Sequence, residues 1–405
     1  MLNIVPEILI ALAGAFPRSL YVVGGAVRDH IAGLSPKKID WDICSPVRAE
    51  EAERIAVALG FSVVARFPAT GSLKLRHDGV DYEFTSFRTD SYPSSGHRPR
   101  SVSFTDDIAL DAGRRDFTCN AVYFDISSDR LVDPLGGAAD ISAKRLKPCA
   151  PPSVLFAEDA VRILRLARFY GELGFAADEE CVEAARLASP SLATISPSWL
   201  WREFSGILAA DEKYSVKGGC GRALTLLHAV GALKQLFPAL DDARGAALAV
   251  ASAGAAPAGL RLAALLYGLG GRGAEEALKP YPVPKGQLRR CVRLISALRS
   301  AQHPDIPLRH FIQQNADCIV QLGALAAAVG ADGSAWLNEY SAMREEGAPL
   351  KLSDLNIRGE DLRLAGIPPA KIGSVLSRLL RICAYRPDLN IRGSLLALAD
   401  SDFKN

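Results

Sequence analysis

Two patterns of apolar and polar positions divide this chain. Up to about Asp133, apolar residues come in short runs and alternations broken by glycine and polar turns, the pattern of β-strands. LYVVGGAVRD reads as a short apolar strand running into Gly24-Gly25 and then a helix. IDWDICS reads as a strand, and AEEAERIAVALG as an amphipathic helix stopped by Gly60. FSVVARF, SLKLRHDG and VDYEFTSFR read as three strands, the last two joined by a turn at His77-Asp78-Gly79. AVYFD and RLVDP read as one more hairpin, and Tyr92 to Arg100 (YPSSGHRPR) as a polar loop. From about Val154 onward helical periodicity takes over in Ala- and Leu-rich segments separated by Gly and Pro. No strand is expected after Asp133. The expected fold class is therefore α+β, a small N-terminal sheet domain followed by an all-α remainder.

Composition narrows the classes. A chain of 405 residues suggests two to four domains, and 49% hydrophobic against 23% charged residues implies packed interiors. The opening MLNIVPEILIALAGAF has no basic start and carries Pro6 and Glu7, so a secretion signal is not expected. The apolar stretch Ala246 to Leu260 is broken by Pro257 and reads as helix and turn, so no membrane partner is expected. Eight scattered cysteines without a CxxC pair argue against a zinc site or disulfide framework and for a reducing cytoplasm. Net charge is only +2, so a nucleic-acid partner has to be sought in local patches. Lys279 to Ser300 holds six basic residues and no acidic one, among them Lys285, Arg289, Arg290 and Arg293. Leu362 to Arg386 is also free of acidic residues and includes Lys371 and Arg378. Such patches suit a grip on RNA phosphates that ignores sequence, although ordinary basic surface helices look the same.

Four constellations carry candidate chemistry. In Asp40-Trp41-Asp42, residues two apart on a strand point to one side, so both carboxylates would face one cavity. Hard oxygen ligands in that arrangement suit magnesium, though surface turns produce the same triplet. Gly24-Gly25, between strand and helix, would let a triphosphate approach the backbone, with Arg28 one turn into the helix. Arg114-Arg115-Asp116-Phe117-Thr118-Cys119-Asn120-Ala121 offers further phosphate or ribose contacts. In Glu158-Asp159-Ala160-Val161-Arg162, Asp159 and Arg162 are spaced i, i+3 as neighbours on one helix face, with Arg165 and Arg168 continuing the series. Taken singly, each has a bland reading: a solvated arginine, a charge pair at a helix start, a salt-bridged solvent face.

Together and in this order, GGAVRD, DWD, RRDFTCNA, VDPLGG and EDAVRILRLARF resemble the class II tRNA nucleotidyltransferases, a family that also includes bacterial poly(A) polymerases. About 150 residues carry the resemblance well; LSDLNIRGEDLRLAGIPPAKIG matches the family's tail more loosely. The resemblance implies a polymerase-beta-like head (1–145), a helical neck with a base-selection helix (146–207), a body (208–330) and a tRNA-binding tail (331–405). It places Mg2+ on Asp40 and Asp42, with Glu83 as a third catalytic carboxylate. Triphosphate contacts fall on Gly25, Arg28 and Arg115, and Gly24, Asp116 and Asn120 join them as nucleotide contacts. The base-reading pair falls on Asp159 and Arg162, with Arg165 and Arg168 nearby. The implied activity is template-independent addition of C, C and A to the 3′ end of tRNA from CTP and ATP, by a monomer or weak homodimer.

Hydrogen-bond chemistry supports that substrate choice. Ionised Asp only accepts and Arg only donates. Cytosine and adenine each place an amine beside an acceptor ring nitrogen, which matches the pair; uracil and guanine invert both groups. Each spoiled charged contact costs about 1.5–3 kcal/mol. Rivals remain. A poly(A) polymerase shares the head and neck motifs, but the stretch after the metal strand reads VVARFPATGS, which fits the tRNA enzyme better. A CC-only or A-only enzyme is another, and the full-length loop at Tyr92 to Arg100 disfavours the CC-only form. A non-catalytic RNA binder is opposed by the intact Asp40 and Asp42. In LRLAALLYGLGG, Tyr267-Gly268 stands where a phosphohydrolase would need His-Asp, so no such activity is expected.

Overall fold

The computed structural model describes residues 4–92, 100–214, 216–252, 254, 256–301 and 306–401. It divides into two compact units, Met1–Ala255 with Pro280–Pro282, and Ala256–Lys279 with Val283–Asn405. The four-part division expected from the sequence is finer than these two units.

The first unit contains every described strand. β1 (Tyr21–Val23), β2 (Trp41–Ser45), β3 (Ser62–Phe67), β4 (Ser72–His77), β5 (Val80–Ser86), β8 (Tyr123–Asp125) and β9 (Arg130–Val132) form a seven-stranded sheet in the order β3-β4-β5-β2-β1-β8-β9. All neighbouring pairs are antiparallel except β2 and β5, which run parallel. The β4–β5 turn is the expected one. Asp78 and Gly79 both take positive φ, 47° and 77°, as a two-residue turn matched to strand twist requires. One hairpin was not expected: β6 (Arg88–Ser91) pairs with β7 (Ser101–Phe104) and frames the 93–99 stretch. β7, Ser-Val-Ser-Phe, has only two apolar positions, so it reads as a continuation of the polar loop. Val23, Cys44, Phe87, Ala112, Ala121 and Tyr123 are buried together where the sheet meets the helix Ile108–Gly113.

Helices complete the unit. Val161–Leu173 packs against Gly219–Ala229 and Pro197–Leu208. At one crossing the backbones nearly touch: a Cβ on Gly171 would lie 2.6 Å from the Gly219 carbonyl, and one on Gly219 would lie 2.7 Å from the Gly171 carbonyl. The second unit is helical throughout its described residues, as expected. In Ala258–Leu266 the run Leu260 to Leu266 is buried, consistent with a packed helix. Its C-terminal part closes around Leu355, Ile357, Leu362, Leu379 and Leu395. No described helix is long and apolar enough to cross a membrane.

The Gly171 crossing sets how deeply the helix Val161–Leu173 seats. Gly171→Ala should lower stability by about 1–3 kcal/mol in a denaturant titration, because the neighbour is backbone and cannot swing away. An unchanged midpoint would show that the helices separate without cost.

Candidate active site

All thirteen residues assigned to catalysis and nucleotide contact line one cleft of about 620 Å³ in the first unit. They arrive from five places in the chain, and strand register does the first part of the work. In the parallel pair, Asp42 of β2 stands beside Glu83 of β5, so both side chains project from the same sheet face. β4 adds Lys74 opposite Glu83. Asp40 differs from expectation in one respect: β2 begins at Trp41, so Asp40 precedes the strand while still lining the cleft. The Lys213 ammonium is 4.0 Å from its carboxylate. Gly24 follows β1 at φ 78°, and a Cβ there would sit 3.0 Å from Asp42 Oδ2, so only glycine fits. The Asp42 carboxyl is pushed up to about 6, first by burial and then by the Glu83 carboxylate; Arg115 opposes this and Asp40 adds to it. Burial and neighbouring carboxylates thus both disfavour the ionised form of Asp42.

Much of the remaining lining is arginine, and nearly every arginine is held by an acid. Asp111, fully buried, takes Arg114 at 2.7 Å and Arg115 at 3.0 Å, and accepts the Tyr123 hydroxyl at 2.7 Å. Arg115 also donates to the Tyr123 oxygen at 3.0 Å. Its Nη1 carries no hydrogen bond among the described residues. Asp116 accepts from Arg165 at 2.6 Å, from the Phe117 amide at 2.8 Å and from Asn120 at 3.2 Å. Glu203 takes Arg168 at 2.8 Å and Arg165 at 3.5 Å, and Glu172 takes Arg168 at 3.2 Å. Burial alone would raise the Asp116 and Asp111 carboxyls, but these arginines and N–H groups outweigh it and bring each down to about 2.

Arg28 lines the cleft but is only 2% exposed. Its guanidinium donates to Asp29 at 2.7 and 3.0 Å, Asn120 at 2.7 Å and the Tyr214 hydroxyl at 2.6 Å. Four of its five donors are thereby engaged, which places it to fix Asn120 more than to grip a phosphate.

The expected Asp159/Arg162 neighbourhood also needs a correction. Asp159 is not on the helix, which starts at Val161. It sits in an extended conformation (φ −148°, ψ 100°) at the end of the helix Pro152–Glu158. Its Oδ1 accepts the Val161 amide at 2.9 Å, as a cap would. Arg162 is held by the Arg114 carbonyl at 2.9 Å and by Glu158 at 3.0 Å, with the Tyr92 ring 5.4 Å away. Both still line the cleft.

Asp111, Glu203, Tyr214 and Tyr92 were missed. The i, i+4 spacing of Asp111 to Arg115 and of Arg168 to Glu172 was readable. Nothing local announces that Glu203 or Tyr214 returns from far along the chain. The six RNA-patch residues lie on other helices, in the second unit. Lys285, Arg289, Arg290 and Arg293 are exposed on Lys285–Ala301, and Lys371 and Arg378 are on Pro369–Tyr385. Arg293 is paired with Asp317 at 2.6 Å and Arg378 donates to the Leu398 carbonyl at 2.9 Å. The loop-length reading falls on 93–99, outside the described residues.

A mixed sheet with paired carboxylates facing an arginine wall defines a nucleotidyltransferase-type head, and residues 20–147 match the Poly A polymerase head domain family. The CCA-adding enzyme of Geobacillus thermodenitrificans is 30% identical over 295 residues, covering 70% of this chain and 67% of that one. The chain belongs to the CCA-adding enzyme family. Against the first curated relatives, the match spans about half of their own length, 51%, 42% and 45% in three CCA-adding enzymes. The Bacillus stearothermophilus CCA-adding enzyme in complex with CTP superposes at TM-score 0.76 and 24% identity, covering 98% of this chain and 97% of that chain. A Thermotoga maritima CCA-adding enzyme complexed with tRNA superposes at 0.71 and 20% identity, covering 99% and 96%. At such identities the likeness is one of fold.

The folded state holds Asp111 and Asp116 below the ordinary carboxylate range, so it binds fewer protons than the unfolded chain. Their stabilisation is complete above about pH 4 and lost as pH falls through about 2. Stability should fall over that window, and Asp116→Asn should remove about 2 kcal/mol of the fall. An identical pH profile for the variant would refute the Asp116 assignment.

Proposed function

We propose that this chain adds C, C and A to the 3′ end of tRNA from CTP and ATP, releasing pyrophosphate, with Mg2+ held by Asp40 and Asp42. The observation that carries this reading is the single cleft in which the Asp42–Glu83 register pair faces arginines and the Asp159/Arg162 pair. The first-unit segments 1–145 and 146–207 would serve as head and neck, and 208–330 and 331–405 as body and tail. The exposed basic helices would grip tRNA phosphates. Eight free cysteines favour a reducing, cytoplasmic setting.

The donor set fits a divalent ion. Asp42 stands beside Glu83 and near Asp40, and carboxylate oxygens set together in this way are the donors a divalent ion takes. Among the described residues no three His, Cys, Asp or Glu groups form a ready-made metal cluster. Magnesium takes one or two carboxylates and completes its shell with water and substrate phosphates, so Asp40 and Asp42 would supply the protein's share. Bound there, the ion would polarise phosphoryl oxygens and favour the ionised 3′-hydroxyl.

The protein's own part is positioning and charge. Arg115 offers Nη1 to the triphosphate from a mount fixed by Asp111 and Tyr123, so no reorganisation is needed as charge builds on departing pyrophosphate. Gly24 and Gly25 bring backbone close to that charge. Asp159, pinned by the Val161 amide, and Arg162, pinned by the Arg114 carbonyl and Glu158, present one acceptor and one donor group to a base edge. Cytosine and adenine satisfy both; uracil and guanine leave each facing its like. Selection then needs no template.

Supplying CTP, ATP, UTP and GTP with tRNA lacking CCA, CA or A, and reading products at single-nucleotide resolution, tests the reading. Addition of C, C, A and then a stop is expected. A long A tail would instead mean a poly(A) polymerase, and a stop after CC, or growth only on the CC-ended form, a specialised enzyme. Asp42→Ala should abolish incorporation and leave tRNA binding within about twofold, since it removes no phosphate-gripping cation. Arg162→Ala should narrow the preference for CTP over UTP by about tenfold or more, the worth of one charged hydrogen bond. Undiminished discrimination would remove Arg162 from base reading.

A further inference from the structure

Two side chains of the cleft belong to none of the motifs above. Trp199 and Arg202 sit on the helix Pro197–Leu208, three residues apart and so on one face. The Arg202 guanidinium lies over the Trp199 ring at 5.3 Å from its centroid. The neighbouring tryptophan shows by contrast what a packing residue does. Trp201 is 6% exposed and packs against Phe204 and Tyr281. Trp199 instead reaches the cleft, and Arg202 is exposed there.

The helix is rigidly placed. One residue beyond Arg202, Glu203 takes Arg168 at 2.8 Å, and a Cβ on Gly206 would lie 2.6 Å from Arg168 Cδ. Shortly after this helix, Lys213 brings its ammonium to 4.0 Å from Asp40. An aromatic ring with a guanidinium over it, and an ammonium beside Asp40, therefore line the same cleft, on segments that carry none of Asp159, Arg162 and Arg115. Planar π surface beside cations is the chemistry of single-stranded nucleic acid: bases stack on the ring or guanidinium plane while phosphates meet the charge, and sequence is not read.

We infer that Trp199 and Arg202 form the platform on which the 3′-terminal base of the RNA acceptor stacks, with Lys213 meeting its last phosphate beside Asp40. This rests on the nucleotidyltransferase reading for the identity of the RNA, but stacking itself requires no chemistry. The platform would accept an end that changes with each addition, because every base has a π face.

The test uses the full-length protein and an RNA hairpin whose 3′-terminal residue is 2-aminopurine, a base whose fluorescence falls on stacking. Wild-type protein should quench it without any nucleotide present. Trp199→Ala should abolish the quenching and raise KM for RNA roughly tenfold, leaving KM for CTP unchanged. Trp199→Phe, which keeps a π face, should restore most of both, and Arg202→Ala, on the exposed side, should weaken RNA without disturbing the fold. A rise in KM for CTP with RNA affinity intact, or quenching that persists in Trp199→Ala, would overturn the proposal. Quenching by a wild-type protein that incorporates nothing would sink the enzymatic reading and leave the platform standing.

Discussion

Carboxylates set side by side on one half-buried sheet face repel each other, and the rest of this site is organised around that repulsion. Parallel pairing of β2 with β5 fixes Asp42 beside Glu83 without any contact to hold them together. The Asp42 carboxyl is raised to about 6, first by its burial and then by this neighbour. Such a group is tolerated in a fold when the field it creates is needed by a ligand. Gly24 shares the constraint, since its bare Cα leaves the space into which the Asp42 oxygen projects.

The arginine wall answers the same field, and the manner of its anchoring matters. Arg114 and Arg115 share Asp111; Arg165 and Arg168 are shared out among Asp116, Glu203 and Glu172. A free arginine would lose rotamer entropy on meeting a phosphate. One already fixed by a buried acid loses little, and planar guanidinium can serve an internal carboxylate on one edge and a ligand on another. The internal acids also offset much of the positive charge that the wall would otherwise carry.

Much of this was legible in the sequence. The strand-rich first third, the shift to helices after Val154 and the Asp78-Gly79 turn follow from periodicity and turn chemistry, and the structure keeps them. The gathering of Gly24, Asp42, Arg115, Asp159 and Arg162 was legible from motif order. What local patterns could not give were pairings between distant segments. Glu83 became Asp42's neighbour only through strand register, and Tyr214 reached Arg28 across 186 positions. The Asp159 geometry failed for a different reason. An i, i+3 spacing says that two residues share a face only if both are helical, and Asp159 lies at a break that EDAVR does not announce.

That break is itself informative. A carboxylate one turn inside a helix would have no backbone donor to meet, since interior amides are taken by the ladder. Placed before the helix, Asp159 receives the Val161 amide on one oxygen and so is oriented by a bond that does not depend on any ligand. Arg162, one turn further on, is oriented by the Arg114 carbonyl, which belongs to the same short stretch that carries Arg115. The residue proposed to read a base edge is thereby tied to the backbone that carries Arg115, the residue proposed to meet phosphate. A shift in either would be felt by the other through a 2.9 Å hydrogen bond, so in the proposed reading base recognition and phosphate alignment would depend on one linked element.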